Sequence, residues 1–228
     1  MQNLAQADVT KPQSMYVYDS DNAVTGTTAE RDAVLTFAKA NALGTLYLSS
    51  DQFFIYPSKQ PKLTEFLAAA NVQGIKVVLL LGSYEWCYTE NHAIALNRTI
   101  AATTFIAAAT VKPIGIQFDV EPHATAKWTT DLQGTANQYL DFVGKIVAQV
   151  GAAVPVQFTT ANFYKNKLIK RGSVTRPFSE LILDSIPSSY SILIMNYRDD
   201  VGYYKVSKDS TGKVTKQFYS NKVVGTLL

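Results

Sequence analysis

The stretch "IGIQFDVEPH" (residues 114–123) runs apolar and then breaks into two carboxylates, a proline and a histidine. In an extended strand successive side chains alternate faces. Gly115, Gln117, Asp119 and Glu121 therefore share one face, while Ile114, Ile116, Phe118 and Val120 share the other. The apolar set suits a covering layer of helices. The polar set climbs from a glycine through a neutral amide to two acids, which suits the interior of a barrel opening on a cleft. Pro122 has no N–H to continue a ladder and is expected to end the strand.

Working outward, further β-rich runs occur at 14–19, 44–51, 75–82, 154–163 and 190–197, with "NKVVGTLL" (221–228) a weaker seventh. Between them, residues 28–41, 62–72, 99–110, 135–151 and 177–187 carry apolar side chains three and four apart, the helical period. Near-continuously apolar strands alternating with helices, at a spacing of roughly 30 to 40 residues, are the pattern of βα units on a parallel sheet. No Gly-rich phosphate loop follows the first strand, which lowers the nucleotide-binding alternative. The expected fold is an α/β protein, a (β/α) TIM-type barrel over 15–228 after a polar lead-in at 1–14. The chain stops at or inside its seventh strand, so the barrel is expected to be incomplete or closed in some other way.

The barrel is favoured by what stands at the strand ends. Tyr18 and Asp19, Asp51, Tyr84, Glu85 and Trp86, Asp119, Glu121 and His123, Asn162 and Tyr164, and Tyr197, Asp199 and Asp200 are all polar or aromatic. In a (β/α) barrel these ends share one face and ring a single cleft. Flat rings suit the faces of sugars, and Trp128, just beyond the fourth strand, either walls such a cleft or staples the next helix.

Composition narrows the partners. Of 228 residues, 47% are hydrophobic and 17% charged, enough for one large core. With 21 basic and 18 acidic side chains the net charge is +3, too small and dispersed to suggest nucleic acid or a membrane surface. No apolar run reaches the ~18 residues that a membrane span needs, so the chain is expected to be soluble. The single cysteine, Cys87, excludes an intrachain disulfide and leaves the compartment open, secretion included. Oligomeric state is not indicated.

Two carboxylates at i and i+2 on one face resist ionising together, which raises one pKa. A protonated acid beside an ionised one is what glycosidic cleavage requires. Glu121, nearer the opening, is expected to be the general acid/base, with Asp119 orienting it and sharing its proton. A second carboxylate could come from Glu85, Asp199 or Asp19. Gln117 below the pair and His123 above it are expected to contact substrate, together with Tyr18, Asp51, Trp86 and Asn162. Asp119, Glu121 and His123 could also be read as a metal site, but Pro122 breaks their alternation, so neither metal nor cofactor is expected.

The segments "GIQFDVE" and, downstream, "MNY" resemble the chitinase-like glycoside hydrolases of family 18. In that family the fourth strand ends in D-G-x-D-x-D-x-E and the sixth carries M-x-Y-D. Gly115, Asp119 and Glu121 match on the fourth strand, Met195 and Tyr197 on the sixth. Ile114, Gln117 and Arg198 stand where the family has Asp. The resemblance implies an eight-stranded barrel, Glu121 as acid with Asp119 as its partner, and Tyr197 hydrogen-bonding a substrate acetamido group that acts as nucleophile. The resulting expectation is a glycosidase acting on a poly- or oligosaccharide. The alternatives are a non-catalytic carbohydrate-binding barrel and, further down, a metal-dependent phosphodiesterase.

Overall fold

The computed structural model describes residues 13–195, 207–208 and 214–216. Six parallel strands form its main sheet: β1 (Gln13–Val17), β2 (Leu43–Ser49), β3 (Lys76–Leu81), β4 (Gly115–Phe118), β5 (Val156–Ala161) and β8 (Ser191–Met195). Helices α1 (Thr28–Ala40), α2 (Asp51–Ile55), α3 (Gln60–Val72), α4 (His92–Ala108), α5 (Lys127–Thr130), α6 (Leu132–Val150) and α7 (Phe178–Asp184) fill the connections. An antiparallel hairpin, β6 (Leu168–Arg171) with β7 (Val174–Pro177), lies between β5 and α7. Two short strands, β9 (Ser207–Lys208) and β10 (Val214–Lys216), pair apart from the sheet.

Strand order in the sheet follows the chain without a reversal. Right-handed crossovers that always advance in one direction place every helix on the same face, and the sheet curls away from them. A doubly wound sheet would instead reverse at a switch point. The curl is visible across the concave face, where Gln117 Nε2 on β4 donates to Tyr16 Oη on β1 at 2.8 Å. Three strand spacings in a flat sheet would separate their backbones by about 14 Å. The described residues thus form a half-barrel of α/β type.

The alternation expected for the fourth strand is present along the whole sheet. Leu46, Leu48, Val77, Leu79, Leu81, Ile116, Phe118, Val156, Phe158 and Ile192 join the buried cluster under the helices. Each such side chain contributes on the order of 1.5–3 kcal/mol by leaving water. Tyr16, Tyr47, Gln117 and Thr159 take the concave face, with Tyr16 and Tyr47 stacked at 4.9 Å between centroids. Ile114 departs from the pattern: it precedes the strand and is exposed.

Local chemistry sets the element ends. Thr27 and Glu30 form a reciprocal capping box at the start of α1, and Asp131 accepts the Gly134 N–H at the start of α6. The β6–β7 turn uses Gly172 at φ 60°, a conformation that favours glycine. β1 begins at Gln13, inside the expected lead-in, because ladder pairing with Leu43 and Thr45 is indifferent to the polar side chains of Gln13 and Ser14. The weaker seventh strand at 221–228, Tyr197, Arg198, Asp199 and Asp200 lie outside the described residues. No helix among the described residues is long and apolar enough to cross a membrane.

Candidate active site

The β4 ladder stops at Phe118, although the Asp119 N–H still reaches Leu81 O at 2.8 Å. Glu121 (φ −112°, ψ 84°) has already left the strand, and Pro122 opens a 3₁₀ turn, Pro122–Ala124, rather than ending an extended run. The fourth strand is therefore shorter than the sequence suggests. Its two acids nevertheless lie close enough that each carboxyl shifts the titration of the other.

Such closeness favours a proton on the pair. Burial pushes Asp119 up to about 6, and the neighbouring Glu121 charge pushes in the same direction. Thr159 on β5 partly offsets both. Burial also raises Glu121, against a smaller downward pull from Asp119. The pair consequently holds a proton above the ordinary carboxylate range. Asp119 Oδ1 is buried without a hydrogen-bond partner among the described residues. No Lys or Arg of the described part pairs with either acid.

Below the pair, the Gln117 amide donates to Tyr16 Oη and to Thr159 Oγ1, each at 2.8 Å. With its oxygen accepting from Gln117, the Thr159 hydroxyl keeps its hydrogen available on the side of Asp119, whose ionised form it favours. Above it, His123 Nε2 lies 3.3 Å from Glu121 Oε2, and His123 Nδ1 lies 2.8 Å from Tyr164 Oη. Burial lowers the His123 pKa, partly countered by Asp119, which favours a neutral ring. Polar side chains thus flank the acid pair on both sides: Tyr16, Gln117 and Thr159 below it, His123 and Tyr164 above it.

Asp51 stands at the end of β2, where it begins α2. Its Oδ2 accepts the Gly82 N–H at 3.0 Å, while Oδ1 is buried without a hydrogen-bond partner among the described residues. Burial pushes Asp51 up to about 6 against the opposing pull of the Gly82 N–H and Arg98.

The other expected residues divide. Tyr18 is exposed and stacks on Tyr16, with centroids 5.6 Å apart. Tyr84 is exposed on the 3₁₀ turn Tyr84–Cys87, which packs against Pro122–Ala124 and carries Glu85 at the surface. Asn162 is half-buried just beyond β5. Asp19 is exposed and occupied locally, accepting the Asn22 N–H at 3.2 Å and its Nδ2 at 2.7 Å. Trp86 and Trp128 offer no ring to a ligand, being 6% and 8% exposed within the core cluster. Trp128 packs on Tyr164 of the turn after β5 and on Phe178 of α7. Among the described residues no three His, Cys, Asp or Glu side chains converge to hold a metal ion.

Thr159, Tyr16 and Phe163 escape a reading by strand ends. Thr159 and Tyr16 sit mid-strand and matter only through cross-strand register. Phe163, 36% exposed, packs edge-on against His123 at 5.2 Å, and a nearby "NFY" is its only sequence signal.

No family model and no curated protein matches the chain. Among solved structures it is similar to the probable 3-DHS dehydratase AsbF involved in petrobactin synthesis from Bacillus anthracis. That alignment has 9% identity and TM-score 0.49, and covers 81% of this chain and 62% of that one. It is also similar to a chitinase from Chromobacterium violaceum ATCC 12472, with 11% identity and TM-score 0.47, covering 84% of this chain and 57% of that one. The chain spans about three fifths of the length of these structures.

Proposed function

We propose that the chain is a glycosidase acting on a poly- or oligosaccharide, with Glu121 as general acid/base and Asp119 as its proton-sharing partner. The observation that carries the reading is the half-buried Asp119–Glu121 pair just beyond the C-terminal end of a parallel strand, where no Lys or Arg among the described residues pairs with either acid and burial keeps the pair partly protonated. In the forward step Glu121 gives its proton to the glycosidic oxygen as the bond to the anomeric carbon breaks. The remaining negative charge on the pair faces the positive sugar centre. In the second step Glu121 takes a proton from the incoming water, and Asp119 holds part of that proton between steps.

Exposed Tyr18 and Tyr84 provide ring faces near the same mouth, in keeping with a sugar ligand. Tyr197 as the holder of an acetamido group belongs to the same proposal through the family 18 resemblance. The experiment is Glu121→Gln, assayed on chromogenic chito-oligosaccharide glycosides beside calorimetry with the unsubstituted oligosaccharides. The expected loss in kcat is about 10²–10⁴-fold with binding nearly intact. Unchanged turnover overturns the assignment. Saturable binding by the wild type without product, followed by chromatography, would favour the sugar-binding alternative.

A further inference from the structure

His123 is one of only two histidines in the chain and has no counterpart in the acid–base argument so far. Its surroundings fix its tautomer. The Tyr164 ring is 1% exposed and packs against Phe178, Trp128 and Phe163 at centroid separations of 4.8, 5.4 and 5.3 Å. Burial keeps this phenol protonated. A buried hydroxyl needs an acceptor, and its hydrogen-bond partner is His123 Nδ1 at 2.8 Å. If Nδ1 carried a hydrogen, the two donors would face each other, or the Tyr164 hydrogen would turn into an aromatic wall. Nδ1 is therefore bare, and the ring hydrogen of neutral imidazole sits on Nε2.

We propose that His123, its tautomer set by Tyr164, is a positioning residue that donates from Nε2 to Glu121 Oε2 and so reserves Oε1 as the oxygen that carries the transferable proton. The proposal rests on the glycosidase reading and deepens it. Nε2 and Oε2 are 3.3 Å apart, a close contact that the N–H needs only a small reorientation to turn into a hydrogen bond as charge builds on Glu121 after proton transfer. Phe163, edge-on to the imidazole at 89° between planes, and Tyr164 leave the ring little freedom to turn away.

Two measurements test it. Long-range ¹H–¹⁵N NMR at neutral pH, assigned by comparison with His123→Gln, should show a pyridine-like Nδ1 and a pyrrole-like Nε2 for His123. Tyr164→Phe should erase that preference while His92 is unaffected. A protonated Nδ1 in the wild type overturns the proposal whether or not the chain cleaves glycosides. In kinetics, His123→Ala should lower kcat about 10–100-fold with little change in KM. His123→Gln, whose Nε2 can occupy the donor position, should recover most of the loss. Unchanged kcat in His123→Ala, or equal losses in the Ala and Gln variants, likewise overturns it. Failure of Glu121→Gln to reduce turnover would instead count against the glycosidase reading, since the NMR result reads the tautomer directly.

Discussion

The Asp51 carboxylate accepts the backbone N–H of Gly82 at 3.0 Å, tying the end of β2 to the end of β3 just where Gly82 passes under β4. A Cβ built on Gly82 would stand 2.1 Å from the Asp119 carbonyl oxygen and 2.7 Å from its carbonyl carbon. Three strand ends are thereby fixed against one another, and the backbone that carries Asp119 is part of the contact. The acid pair inherits its position from this junction.

Gly82→Ala should therefore damage the site through the backbone. The obstructing atoms are main chain and cannot rotate aside, so the β4 end must shift. Overpacking of this kind costs typically 1–3 kcal/mol and here should reach at least the upper part of that range. Chemical denaturation should show the lower stability, and folded Gly82→Ala should turn over substrate more slowly than wild type. Wild-type stability and kcat together would mean that the close approach is not a constraint.

Asp51 provides a pH prediction. An acid whose pKa rises on folding, here from 3.8 to about 6, binds its proton more tightly in the folded state. Its stabilising contribution is complete below about pH 4 and is lost as pH climbs to about 6. Asp51→Asn retains an oxygen for the Gly82 N–H without the buried charge. At pH 8 it should be roughly 1–3 kcal/mol more stable than wild type, with a flatter stability profile between pH 4 and 6. Asp119, pushed up in the same sense, leaves a residual slope in the variant. A variant less stable than wild type at pH 8 would contradict the buried-charge argument.

Trp128 and Tyr84 should separate cleanly. Trp128 is enclosed by Tyr164 and Phe178, so Trp128→Ala should cost about 3–5 kcal/mol and unsettle the Tyr164–His123 contact. Tyr84 is half-exposed, and Tyr84→Ala should leave the melting temperature nearly unchanged while weakening oligosaccharide binding. Calorimetry beside thermal denaturation reads both. Equal binding losses at unchanged stability for the two variants would place Trp128 at the surface after all.

Much of the sheet was legible because its signal is local. The apolar runs at 75–82 and 154–163 contain β3 and β5, and the run at 44–51 covers all of β2 but its first residue, since strands buried on both faces read as continuous hydrophobic segments. The β6–β7 hairpin was not legible. Its "LIKRGSVTRP" carries three basic residues and has a single buried position, Ile169, with Gly172 as its only punctuation. α4 begins at His92, seven residues before the Ala-rich run that announces it, because the turns between carry few apolar repeats. At the site, the closeness of Asp119 and Glu121 could be read from their i, i+2 spacing, although both lie beyond the end of β4. The Gln117–Thr159–Asp119 connection and the Asp51–Gly82 bond join different strands, and their register appears only in three dimensions.

Thr159 tests that connection directly. Its hydroxyl accepts from Gln117, and Thr159 favours the ionised form of the neighbouring Asp119 carboxylate. Thr159→Val keeps the shape, removes the hydroxyl and leaves Asp119 harder to ionise. The acidic limb of the kcat/KM profile reports the step from two protons on the acid pair to one, so it should move to higher pH. With a hydrogen bond worth about 1 kcal/mol, the displacement should be roughly 0.5–1 pH unit. Thr159→Ser, which restores the donor, should return the limb to its wild-type position. Stability should fall modestly in Thr159→Val because the Gln117 amide loses an acceptor in a buried setting. An acidic limb that stays in place in Thr159→Val would show that Asp119 titrates independently of β5.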